Sequence, residues 1–426
     1  MSLEKRLLEF RKKFISLWDF NLFKIAIFIQ IGYITITIIF FFTIFYKQND
    51  FIVFYNSGRR ILFDINDLYL RESEHFFFRY FPLSAIFYIP FSLFNFNFGY
   101  ITFLFFNLLL NIGICLNIYK IINLIRPEEK KSEEKIARYV ALFLGAAPQV
   151  NNYILGQNNL LVAFFILWAI YIFIKKNSLK WDFFASILIG VSITIKPIIF
   201  LAIPFLLVVN YRLKEKKFKV NLKTSIIRLV GIGLFLLPNI VLFYCLPHLW
   251  EGFISNNFGG AHITEIRHSF SITKLILNFL VYYSIPFNQI AIILTLLLVF
   301  GTFGYLIFLI SNIQKKSVIY GMTIGIIIML LIYFDSWDHH LLIVIPLLIL
   351  IIFDLPEDSN ISNLYLKPGL IFFVFLDLIF MGVWFMIKNW FPYNFLATLF
   401  LVLSFYGICK YLLKNKFFIN ESKNNY

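Results

Sequence analysis

Two acids and two imidazoles fall within six residues at Asp335-Ser336-Trp337-Asp338-His339-His340, directly before an apolar run. An imidazole titrates near neutral pH, so one of these histidines could take a proton from a hydroxyl or contact a phosphate. Adjacent histidines rarely ligate one ion together, and no other spacing in the chain supplies a zinc or iron ligand set. No metal and no cofactor is therefore expected. A second candidate acid, Asp50, sits where an apolar run ends and Phe51-Ile52-Val53-Phe54 begins. Partial burial there would raise the carboxylate pKa and suit a general base; a helix cap or a solvated acid is the ordinary alternative. Lys196 stands alone between apolar runs in Thr194-Ile195-Lys196-Pro197. Such a lysine either snorkels to water or meets an anion, for which the phosphate of a lipid substrate is suited.

Further polar groups surround these three. The stretch from Pro148 to Asn159 is rich in amides, including Gln157 and Asn158. Amides both donate and accept, so they match sugar hydroxyls, or else bond helix to helix. Arg79-Tyr80-Phe81-Pro82 reads as a rigid start to a short helix, since proline is tolerated in a first turn. Tyr80 could equally be an interfacial anchor. Arg59 and Arg60 lie in the first polar loop, and His262 and Arg267 in a second, between 247 and 272. Gly252, Gly259 and Gly260 make that second loop flexible enough to close over a substrate.

What must position these groups is a membrane. The 426 residues are 60% hydrophobic and only 14% charged, and apolar runs of ~20 residues recur along the whole length. We expect an all-α polytopic protein with about a dozen transmembrane helices, near 22–46, 99–125, 139–154, 159–174, 183–196, 198–210, 225–246, 288–311, 318–334, 339–353, 368–387 and 394–413. The first run is too long for the core of a signal peptide. Two shorter proline-bounded stretches, 81–94 and 273–285, are expected as juxtamembrane or re-entrant helices on the outer face. With the N-terminus inside, inner segments carry about twice as many Lys and Arg as Asp and Glu, while outer segments are balanced. That asymmetry accounts for the net charge of +15 without nucleic acid. It also puts the outer loops 47–80 and 247–272, and all six histidines, on the extracytoplasmic face. Residues 1–21 and 414–426 become cytoplasmic ends flanking one integral domain, 22–413. Cys115, Cys245 and Cys409 lie in separate apolar runs and read as small packing residues. The chain has no Walker loop and no Rossmann glycine fingerprint, so a sugar donor used outside would be lipid-linked.

In this order the clusters resemble the GT-C class of polyprenol-phosphate-sugar-dependent glycosyltransferases, and within it glycosyltransferase family 87, mannosyltransferase-like integral membrane enzymes. The segments that carry the resemblance are Asp50-Phe51, Phe54-Tyr55-Asn56-Ser57-Gly58, Asp67-Leu68-Tyr69, Tyr80 with Pro82, Gly156-Gln157-Asn158, Ile195-Lys196-Pro197 and Ser336-Trp337-Asp338-His339-His340. The family's first-loop motif usually reads Tyr-Pro-Pro, and here Phe81 takes the middle place. The resemblance implies a catalytic acid at Asp50 and a catalytic histidine at His339, with His340 as the competitor. From the residues themselves we expect substrate contacts from Arg59, Arg60, Tyr80, Gln157, Asn158, Lys196, His262, Arg267, Asp338 and His340. The implied partners are a polyprenyl-phosphate hexose donor, mannose by the family's example, a glycolipid or glycan acceptor, and the lipids of the plasma membrane. The competing expectations are another GT-C glycan ligase or polymerase, and a multi-spanning lipid or solute transporter.

Overall fold

A computed structural model of the chain describes residues 17–71, 76–125, 132–176, 178–212, 216–258, 266, 269–311, 316–376 and 395–421. They form an all-helical protein with one small hairpin. The helices are α1 (Asn21–Thr43), α2 (Phe51–Phe63), α3 (Phe96–Ile125), α4 (Glu133–Leu144), α5 (Pro148–Ile154), α6 (Asn159–Lys175), α7 (Leu179–Ile195) and α8 (Leu222–Cys245). There follow α9 (Pro247–Phe258), α10 (Ile272–Tyr282), α11 (Gln289–Ile310), α12 (Ser317–Ile332), α13 (Leu341–Asp354), α14 (Ser362–Leu376) and α15 (Phe395–Glu421). Helices are the form such a sequence must take in lipid, because each satisfies its backbone hydrogen bonds internally.

Among the described residues, five helices are long and apolar enough to cross a membrane: α1, α3, α8, α11 and, within α15, Ala397–Lys414. Several other expected crossings are helices of 10–17 residues, about 15–25 Å long against a hydrocarbon core of ~30 Å. Two expected spans differ in form. The run 139–154 is two helices, α4 and α5, broken at Gly145-Ala146-Ala147, where Ala147 N–H bonds across to the carbonyl of Val374. The run 198–210 is a 3-10 helix, Pro197–Leu206, interrupted by Pro204 and followed by the strand β1 (Val209–Arg212). β1 pairs antiparallel with β2 (Lys217–Val220), so the hairpin begins within the expected span 198–210 and fills the connection to the next one. The first outer loop opens with a helix, α2, shortly after its start at 47. The last helix continues to Glu421, past the boundary expected at 413.

The core forms around α13, all of whose residues are buried. It packs against α3, α6 and α12, and a helix that is apolar on every side belongs in such an interior. α13 thereby holds the turn that precedes it, Asp338–His340, in a fixed place. α1, α8 and α11 instead bury few of their residues and expose apolar side chains such as Phe28, Leu237 and Leu298, as lipid-facing helices do.

Candidate active site

Asp50 is held by a clip between two distant parts of the chain. Asn49 Nδ2 donates to the carbonyl of Ile154 at 3.1 Å, and Phe51 N–H donates to that of Leu155 at 3.1 Å. Between these bonds, Gln157 Nε2 donates to Asp50 Oδ2. The close approach requires Gly156, which has φ +67°, and a Cβ there would stand 2.6 Å from the Cβ of Phe51. Asp50 flanks the first turn of α2, yet its carboxylate makes no capping bond. Oδ1 has no hydrogen-bond partner among the described residues, and neither does the buried Oε1 of Gln157.

Lys196 follows the last residue of α7. Pro197 disfavours helical backbone at the residue before it, and Lys196 adopts φ −142°, ψ 96°. The helix stops there and the side chain faces a cavity. Its Nζ is buried and has no hydrogen-bond partner among the described residues. A buried ammonium without a partner is costly, so the position asks for an anion.

The third group comes from the turn before α13. His340 Nδ1 accepts from Trp337 N–H at 3.0 Å, which leaves that nitrogen unprotonated. His339 Nδ1 lies 3.5 Å from Asp338 Oδ1, and Asn151 Nδ2 donates to Asp338 Oδ2. The amide segment therefore touches both acids, through Gln157 and through Asn151.

Asp50, Tyr80, Gln157, Lys196, His339 and His340 all line one cavity of about 600 Å³. Most of its wall is apolar, with Ile198, Phe200, Leu201, Ile293, Leu297 and Met329 among the lining residues. Burial pushes the Asp50 carboxyl above its ordinary value, while His339, the bond from Gln157, Arg79 and Lys196 pull it back. The Tyr80 phenol, raised well above its ordinary value by burial, stays protonated.

Other expected site residues lie elsewhere. Arg60 donates to the carbonyl of Leu70 at 2.9 Å, and Arg59 lines a different groove. Asn158 is buried behind the cavity, donating to the hydroxyl of Tyr88 at 2.6 Å. Asp338 is not in the cavity lining but stands against His339, which is. His262 and Arg267 lie outside the described residues. The structure adds a group that residue type alone did not single out. Arg79 pairs with Asp335, lies over the Phe77 ring at 4.3 Å, and is joined to α9 by Asn257 Nδ2, which donates to its carbonyl at 3.1 Å. Asp335 Oδ1 in turn accepts from Trp337 Nε1 at 2.8 Å. The signal was adjacency: Arg79 precedes Tyr80, and Asp335 opens the acid–histidine segment. Among the described residues no group of His, Cys, Asp and Glu stands close enough to hold a metal ion.

An all-helical membrane protein with a largely apolar cavity that gathers an acid, a lysine amine and an imidazole has the makings of an enzyme. The sequence pattern of glycosyltransferase family 87 matches residues 77–333, more than half of the chain, and the chain belongs to that family. It is a glycosyltransferase, and uses a sugar donor and an acceptor. No curated protein and no solved structure matches it.

Proposed function

We propose that this glycosyltransferase moves a hexose, mannose in the first instance, from a polyprenyl-phosphate donor to a hydroxyl of a glycolipid or glycan on the outer face of the plasma membrane. The observation that carries the proposal is the cavity itself. An unpartnered, buried ammonium at Lys196 and an open carboxylate oxygen at Asp50 share one chamber with a long apolar wall. A sugar phosphate fits the polar side chains and an isoprenoid the apolar wall. In this reading the chain crosses the membrane about twelve times with both termini in the cytoplasm, and the cavity opens outward.

The acceptor hydroxyl attacks the anomeric carbon as its proton passes to Asp50 Oδ1, the oxygen that Gln157 leaves free. His339, backed by Asp338 and Asn151, is the alternative base. The new bond joins the acceptor oxygen to the anomeric carbon. The bond from that carbon to the phosphate oxygen breaks, the electron pair leaves on polyprenyl phosphate, and configuration inverts. Lys196 stabilises the charge that develops on the leaving phosphate. Gln157 Oε1 accepts from a sugar hydroxyl, and Tyr80 donates to one. Incubating the purified protein with a panel of polyprenyl-phosphate sugars and scoring released polyprenyl phosphate tests the proposal. Release with none of them, by protein that turns over another class of donor, removes it.

A further inference from the structure

α2 presents two different faces. At ~3.6 residues per turn, Ile52, Tyr55, Asn56, Arg59 and Phe63 fall on one side, while Val53 and Phe54 fall on the side that lines the catalytic cavity. The first face lines a separate groove of about 630 Å³, closed by Lys47 and by the loop before α3. The groove wall includes two cations, Lys47 and Arg59, the amides of Asn56 and Asn95, and no acid. Neither cation has a carboxylate partner among the described residues. Lys47 also adopts φ 55°, a backbone region that costs a non-glycine residue free energy and recurs at ligand sites. The rim is apolar and open: Phe63 is 78% exposed, Leu93 64% and Phe94 49%.

Paired cations flanked by amides match a phosphodiester, which can be held by charge and by donated hydrogen bonds at once. Exposed aromatic and aliphatic side chains beside them match what adjoins a phosphodiester only in a lipid. We infer that this groove binds the headgroup of an anionic membrane phospholipid, separately from the donor cavity on the other side of α2. The inference rests on the membrane reading of the chain but not on the identity of the donor. Because Asp50 directly precedes α2, a lipid seated here braces the helix that carries the acid.

Native mass spectrometry of the purified full chain with phosphatidylglycerol or phosphatidylcholine tests the inference. Wild type should retain phosphatidylglycerol in preference. Each cation near an anionic headgroup contributes about fivefold in affinity, so Lys47→Ala with Arg59→Ala should weaken retention about 25-fold. Exchanging the two cations, Lys47→Arg with Arg59→Lys, should keep the preference. Equal retention by wild type and a double-alanine variant whose melting temperature is unchanged overturns the inference. So does displacement of the lipid by millimolar inorganic phosphate, which would make the site one for a free anion. Release of polyprenyl phosphate, read on the same samples, reports the donor cavity and so separates failure here from failure of the proposed reaction.

Discussion

The carboxylates of Asp354 and Asp50 are both withdrawn from bulk water, but their surroundings differ. Asp354 accepts from Lys316 Nζ at 2.8 Å and from the hydroxyl of Tyr320 at 2.6 Å. Asp182 is similar, taking two bonds from Arg228, whose third goes to the carbonyl of Leu206 and whose guanidinium lies over the Phe173 ring. In these clusters the cation is matched by its own acid. In the cavity, Asp50 has one bond from a neutral amide, and Lys196 has none among the described residues. Desolvating an ion without a partner costs several kcal/mol, on the order of what pairing recovers. Fully matched charges hold helices together, whereas the unmatched pair keeps its capacity for something that arrives.

Asp50→Asn should sharpen the contrast most. The amide keeps its size and its neighbours but cannot take a proton, so transfer should fall by ~10²–10⁴-fold with little change in melting temperature. Near-normal turnover of labelled donor in membranes would remove Asp50 as the base. Lys196→Met should come next, lowering transfer by ~10²–10³-fold, as loss of one preorganised charge-stabilising group does. It should also leave the protein at least as stable, because a buried charge without a partner is gone; a clear drop in melting temperature would mean that Lys196 is structural.

A pH profile tests the acid by itself. The raised Asp50 must be deprotonated to act as a base, so kcat/KM should fall on acidification at a pH above the ordinary carboxylate range; a fall confined to that ordinary range would assign the base to another group. The smallest effect on catalysis should come from Asp354→Asn. It loosens a matched cluster, lowering stability by ~1–3 kcal/mol while kcat stays within about twofold. A large loss of kcat in folded protein would break the distinction between the two kinds of site.

Much of the cavity was legible along the chain because polar groups at the ends of apolar runs are expensive and therefore conspicuous. Asp50, Gln157, Lys196 and His339 all stand at such ends. Arg79 was not conspicuous, because an arginine in a polar loop is ordinary until Asp335 is brought to it from 256 positions away. Asn158 and Gln157 look alike in sequence, yet one bonds Tyr88 behind the wall and the other bonds Asp50 within it. The run 139–154 read as one crossing because hydropathy does not register a break at Gly145, where the chain turns before Pro148.

What the sequence alone determined is the solvent and the secondary structure: this much apolar residue, in runs of this length, has to be helical and in lipid. It also determined which side chains are too polar for their places. Only the tertiary structure decided which of them meet, because helices dock by shape along faces that differ by one residue in register. One step along α2 separates Val53 and Phe54, on the wall of the cavity that holds Asp50, from Tyr55 and Asn56, which line a different groove.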